Sequence, residues 1–242
     1  MVKLWSDALR VYVGGFDLGT STTSLQLALE TPSLDKTSFG DKAETITADI
    51  RRDSVTWSGW FEDGAGGFDA MLGTLVGTQG DVLSFHIGTA TGDRAYVGTV
   101  LVSGAKAVGK VGELVKAESI FKPDQKWDVG RHFGKFTTTG SVGTSGSIDH
   151  TAGTSGTSLL YAHCIALSGT TEFLQLWDSA DGTTFAQITA ADVDATMTGT
   201  RSFVATYTGS IRRYTRARVV YGTGATGSGT STVVIVLRRV NP

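Results

Sequence analysis

Apolar and polar residues alternate with a period of two in short segments along the chain, and glycine-rich breaks separate those segments at intervals of about 8–12 residues. A backbone with that side-chain period presents one face to a core and the other to water, which is the pattern of half-buried strands in an antiparallel protein. Residues 22–30 place Leu25, Leu27 and Leu29 on one face and Ser24, Gln26 and Ala28 on the other. Residues 44–50 alternate Thr45, Thr47 and Asp49 with Ile46, Ala48 and Ile50, and residues 53–61 place Val55, Trp57, Gly59 and Phe61 together. Trp60 falls on the opposite side, so both faces of that segment are expected to be covered. Glycine, at 32 of 242 residues, has no fixed period and proline occurs three times, which excludes a collagen-like chain. Plentiful aromatics and a net charge of −2 exclude a chain disordered throughout.

One segment departs from the alternation. In 66–77, Phe68, Met71, Leu72, Leu75 and Val76 recur at helical spacing, with Asp69 in the first turn and Gly77 placed to end it. Strands resume at 82–87, 94–102 and 111–121, so the first part reads as a β-sandwich or barrel with one flanking α-helix, closing near 122–128. Residues 137–158 are mostly Thr, Ser and Gly, the composition of a linker, although Val142 and Ile148 mark at least one strand crossing it. Further strands are expected at 159–167, 172–177, 184–189, 201–207, 212–221 and 231–240, with Asp181-Gly182 as a hairpin signal. The expected fold is therefore all-β: a first domain over 1–128 and an antiparallel β-sandwich, Ig-like or jelly-roll-like, over 129–242.

Charge divides along the same line. Residues 1–128 hold 12 Lys and Arg against 17 Asp and Glu, a net of −5; residues 129–242 hold 9 against 6, a net of +3. The lone cysteine, Cys164, excludes an intramolecular disulfide and reads as a small buried hydrophobe. No leader or membrane-length apolar run is visible, so synthesis in a cytoplasm without membrane insertion is expected.

The motifs that suggest catalysis each lack a required part. Gly222-Thr-Gly-Ala-Thr-Gly227 matches a dinucleotide fingerprint, but the β-branched residues after it form a strand rather than the helix that would receive a pyrophosphate. Gly104-Ala-Lys-Ala-Val-Gly-Lys110 is followed by Val111 where a P-loop needs a hydroxyl for Mg²⁺. Ser33-Leu-Asp-Lys36 has no partner motif, and His86, His132, His150 and His163 show no metal-ligand spacing. His163 reads as a hydrogen-bonded core residue, and Asp149-His150 only imitates a base and its orienting carboxylate. The chain is read as non-enzymatic, with no cofactor and no metal.

Two surface features survive. Arg212, Tyr214, Arg216 and Arg218 alternate on one strand, either as a solvated face or as a contact surface for acidic partners or glycans. A net of +3 is small for phosphate-dominated nucleic-acid binding. The second feature is the segment Trp57–Phe61, which has neither the Lys nor the Pro that blunts a free strand edge. Either a closed barrel removes that edge, or it pairs with neighbouring copies to make a ring.

The segments Val11-Tyr-Val-Gly-Gly-Phe-Asp-Leu18, Leu25-Gln-Leu-Ala-Leu29, Asp35-Lys-Thr-Ser-Phe-Gly-Asp41, Asp53-Ser-Val-Thr-Trp-Ser-Gly-Trp60, Phe68-Asp-Ala-Met-Leu72 and Gly92-Asp-Arg-Ala-Tyr96 follow one another in an order similar to that of the major tail protein, or tail tube protein, of long-tailed siphovirus-type bacteriophages. The resemblance covers residues 10–125; the remainder, with Trp177-Asp-Ser-Ala-Asp-Gly182, resembles β-sandwich modules appended to phage tail proteins. It implies a structural virion protein, assembled in the host bacterial cytoplasm and carried in the tail. Hexameric rings would stack into a tube through which phage DNA passes without specific binding, in contact with other tail proteins. The implied subunit and ring contacts are Lys36, Thr37, Ser38, Phe39, Gly40, Asp41 and Lys42 in the long hairpin, with Trp57 and Trp60. An acidic first domain suits such a conduit, because like charge repels the phosphates. The alternative is a tail- or capsid-attached adhesion or decoration module, holding host surface glycans through Arg212, Tyr214, Arg216 and Arg218.

Overall fold

The computed structural model describes residues 9–31, 33–35, 46–48, 53–63, 67–139, 142–168, 172–188, 195–197, 199–221 and 230–239. The fold is all-β, with one short helix among the described residues. Strands β1 (Leu9–Val13), β2 (Phe16–Asp17), β3 (Thr22–Ala28), β4 (Ser33–Asp35), β5 (Ile46–Ala48) and β6 (Ser54–Trp60) lead into helix α1 (Phe68–Leu75). Strands β7 (Gln79–Ile87), β8 (Arg94–Val108), β9 (Lys116–Pro123) and β10 (Asp128–Thr139) follow. The rest is β11 (Val142–Thr144), β12 (Ile148–Asp149), β13 (Thr154–Ser168), β14 (Glu172–Ser179), β15 (Ala186–Gln187), β16 (Ala195–Met197), β17 (Arg201–Ile211), β18 (Tyr214–Tyr221) and β19 (Thr230–Arg238).

One 11-stranded sheet runs β17-β13-β19-β10-β8-β7-β1-β2, and β3, β6 and β9 attach to it through β8. A six-stranded sheet is built around β18 and β14, and β4 pairs with β5, its sole partner among the described residues. The long strand β8 is the branch point. Its Arg94–Val97 stretch lies between β7 and β10, and its Val100–Val108 stretch pairs with β9. A register shift between Val102 and Gly104 lets the strand bend between these roles.

The alternation pattern produces two large cores. In the first, Val11 and Val13 of β1, Val55 and Trp57 of β6, Phe85 of β7 and Phe121 of β9 close over α1. The helix forms because Phe68, Met71 and Leu75 share one face and bury together. Phe68 stacks on Trp57 with ring centroids 5.1 Å apart. Gly77, at φ +85°, follows the helix in a conformation that favours glycine. Gly59 is needed for a different reason: a Cβ there would lie 2.4 Å from both the Ser21 carbonyl oxygen and the Trp57 ring.

The second core is a two-layer sandwich. Leu160, Ala162 and Cys164 of β13 and Val233, Ile235 and Leu237 of β19 face Leu174 and Leu176 of β14 and Ala217 and Val219 of β18. A smaller cluster of Val82, Ala95, Val97, Tyr161 and Val236 packs β7 and β8 against β13 and β19. The large sheet thus runs from one core into the other without a break.

Several expectations are corrected by long-range pairing. The Thr/Ser/Gly-rich 137–158 stretch is the end of β10, then β11, β12 and the start of β13; its described parts pair with β17, β18 and β19. The strand expected from Val111 starts at Lys116, because 109–115 forms the turn between β8 and β9. The strand expected at 184–189 is only Ala186–Gln187, and the one expected from Arg212 begins at Tyr214.

Candidate functional site

The segment for which either a covered strand or a ring-pairing edge is expected is an interior strand. β6 pairs with β3 on one side, Leu25 opposite Trp57, and with β9 on the other, Trp57 opposite Ser119. Its edge is covered because β9 arrives from more than fifty residues away, which no local pattern displays. Trp57 is fully buried and donates its indole N–H to Thr22 Oγ1 at 2.7 Å, so its side chain is a core anchor rather than an outward contact. Trp60 is partly exposed, with the Lys116 ammonium over its ring at 6.0 Å, so the face expected to be covered is open there.

The edge role moves one strand outward. Among the described residues β3 pairs only with β6. It is fixed there by Thr22, whose hydroxyl donates to the Leu18 carbonyl at 2.5 Å, and by Thr23, whose hydroxyl donates to the Ser58 carbonyl at 3.1 Å. Leu25 and Leu27 pack on the first core, while Ser24 and Gln26 are exposed. In an antiparallel strand the N–H and C=O pairs point alternately to the two neighbours, so β3 offers about half of its backbone groups to an added strand. Thr22–Ala28 contains no charged residue and no proline, and its ladder with β6 shifts register once, between Thr22 and Ser24.

A second feature lies at the same end of the sheet. Thr22 is opposite Gly59, and Trp60 is opposite Lys116, where β9 begins. From there the β8–β9 hairpin extends to a turn whose Val108, Val111, Leu114 and Val115 are all exposed. A run of apolar side chains on a projecting turn is the kind of surface that a partner covers. Alternation counting missed it, because the run reads as the start of a buried strand. The expected hairpin contacts Lys36, Thr37, Ser38, Phe39, Gly40, Asp41 and Lys42 lie outside the described residues.

The arginine face is only partly as expected. Arg212 lies in the turn before β18 and is committed to Asp178: its backbone N–H and Nε each donate to that carboxylate at 2.8 Å. Arg216 and Arg218 share the β18 face with Tyr214, and both guanidiniums lie over the Trp177 ring, at 5.3 and 4.8 Å. Arg213 grips Asp149 with two bonds of 2.7 and 2.6 Å, holding that carboxyl down at about 2. Asp149 is therefore not a partner for His150, which bonds Thr215 Oγ1 at 2.8 Å instead.

The other histidines are buried where the two cores meet. His163, as expected, is a satisfied core residue, within 2.8 Å of Ser84 Oγ and 2.9 Å of the Gly14 carbonyl oxygen. His86 stacks on His132 with centroids 4.3 Å apart. The Gly222–Gly227 loop lies outside the described residues, and Gly104–Val108 is strand with no helix after it. Among the described residues no group of three His, Cys, Asp or Glu side chains is placed to hold a metal, and no helix is long and apolar enough to cross a membrane.

No known family profile and no curated protein matches the chain. Among solved structures, it is similar to a chain in the virion of a native gene transfer agent particle, at 13% identity over 52% of this chain and 97% of that one, with a TM-score of 0.37. It is similar to the SPP1 tail tube at 9% identity over 51% and 77%, with a TM-score of 0.42. It is also similar to SPP1 Dit, described as a paradigm of the hub adsorption apparatus in phages infecting Gram-positive bacteria, at 11% identity over 89% and 99%, with a TM-score of 0.36. Scores this low fix neither family nor function.

Proposed function

We propose that the chain is a structural subunit of a phage-type tail, which assembles by continuing its sheet into a neighbouring copy. The observation that carries this reading is the β3 edge, which among the described residues pairs on one side only and is uncharged and without proline over seven residues. Left in water such an edge invites uncontrolled pairing; in a closed ring it becomes an interior strand of a larger ladder. The exposed Val108, Val111, Leu114 and Val115 turn supplies the apolar contact that the ladder itself lacks. Because β3 and this turn would both meet surfaces elsewhere on the next copy, the contact is head-to-tail, and such a contact closes into a ring when its rotation divides a full circle.

Residues 1–128, net −5, form the ring-building domain in this reading, and residues 129–242 project outward. Six subunits per ring, stacking through the 36–44 segment and passage of DNA along the bore follow from the resemblance of residues 10–125 to tail tube proteins. An acidic wall repeated in every ring repels phosphates and leaves the genome free to slide. The protein has no catalytic part in this reading. Arg212 and Asp178 serve the outer sandwich, not a ligand.

Electron microscopy of the purified chain tests the proposal. Rings support it, and stacked rings support the tube position; single rings place the subunit at a tube end. Monomers that bind host cells would favour a surface-adhesion module instead.

A further inference from the structure

A cavity of about 450 Å³ opens where β8, β10 and β19 run side by side, next to the residue that follows β12. Its polar lining is Arg94, Arg131, Arg239 and His150, with Val129 and Leu237 as apolar wall. Among the described residues no carboxylate lines it. Arg94 and Arg131 are directly opposite on paired strands, and like charges in that position repel. Arg131 donates one N–H to the Gly92 carbonyl at 2.7 Å, and Arg94 lies over the Tyr96 ring at 5.0 Å; neither has an ion pair among the described residues.

The carboxylates nearby are spent elsewhere. Asp149 is held by Arg213, Asp178 by Arg212, and Asp128 by Arg238 and Tyr161. Asp93 accepts from the Ala90 N–H at 2.9 Å. Arg239 is fixed from behind by Thr154 Oγ1 and by the carbonyls of Ala152 and Ile211. Its Nη1 is buried with no hydrogen-bond partner. A buried guanidinium N–H without an acceptor is costly, and fixing the rest of the side chain prevents it from turning away.

We infer that this cavity binds a phosphate dianion, free or as the monoester of a small molecule, with Arg239 at its floor and Arg94 and Arg131 at its rim. Three guanidiniums face a lining without a carboxylate, and Asp178, already bonded to Arg212, reaches Arg239 only as a more distant charge, so the site calls for more than one negative charge; the planar fork of each guanidinium suits tetrahedral oxyanions. The volume exceeds that of phosphate alone, so a short polar substituent fits beside Leu237 and Val129. His150 faces Arg239, Arg131, Asp149 and Thr215. Burial, then the Arg239 and Arg131 charges, pull it down to about 4. A bound dianion offsets those charges, so His150 moves up toward its ordinary value and binding takes up protons below neutrality. The site belongs to the fold itself and does not depend on ring formation.

The test uses the full chain at low ionic strength, with inorganic phosphate and a sugar monophosphate as probes. Calorimetry is expected to show one saturable site for both, and the His150 ring resonances to titrate at higher pH with phosphate present. R94Q and R131Q, both at exposed rim positions, should each weaken binding roughly tenfold, as the loss of one charge-assisted contact implies. The melting temperature in phosphate-free buffer should not change. Tighter binding of the sugar monophosphate assigns the site to monoesters; equal binding assigns it to free phosphate. Absence of saturable binding, equal binding by the R94Q/R131Q double variant, or phosphate displacement by a short oligonucleotide at matched phosphate concentration would each overturn the inference.

Discussion

The buried histidines make stability depend on pH. Burial holds His163 down at about 4, and burial, its largest cause also, lowers His86 and His132. A histidine that is harder to protonate in the folded chain contributes stability above its unfolded value of 6.5. That contribution is lost as pH falls from 6.5 toward the folded value. The gap from 6.5 to about 4 at His163 corresponds to something on the order of 3 kcal/mol. The melting temperature should therefore fall steeply between pH 6.5 and 4, and His163→Gln should flatten that fall while lowering stability at pH 7. An unchanged slope in the variant would assign the dependence elsewhere. Trp57→Ala, which removes a fully buried ring stacked on α1, should cost about 3–5 kcal/mol in chemical denaturation. At this scale the sequence was informative wherever the environment follows from neighbours along the chain. His163 and Cys164 sit in an apolar run and are buried. The Asp149-His150 pair only imitates a base and its orienting carboxylate, as expected, but the true partner of Asp149, Arg213, is not revealed by its neighbours along the chain.

Among the elements, α1 and most strands were legible, because helical and two-residue periods are local properties. Which strand is an edge was not. β6 and β3 carry the same alternation, and only the arrival of β9 separates the covered strand from the one that, among the described residues, pairs on one side. The Thr/Ser/Gly-rich stretch holds the strands that Val142 and Ile148 mark, but its full strand content is not visible in composition, because its strands are held by β18, β17 and β19 rather than by their own apolar content. Ser24→Lys with Gln26→Lys tests the edge. Both positions are exposed, so the fold should stay within about 0.5 kcal/mol of the parent. Two ammonium groups on the edge should abolish assembly in sedimentation velocity. Val111→Asp with Leu114→Asp should do the same by charging the projecting turn, again without loss of the monomer's fold. Removal of residues 36–44 should leave rings and prevent stacking; stacked tubes from that variant would refute its assignment.

For the whole molecule, the division of charge at 128 and the two large cores agree, yet one sheet passes through both. Cutting the chain there would bare the Arg94–Val97 edge of β8, which pairs with Asp128–Arg131. Assembly is therefore best judged on the intact chain. The central claim is that β3 is completed by a strand from a sister copy. High-resolution electron microscopy of the assembled chain measures this directly. The account predicts closed rings in which a backbone ladder continues from Thr22–Ala28 into the next subunit around an acidic bore. A stable monomer, or a ring in which that edge faces solvent and the bore is lined with arginine and lysine, would contradict it.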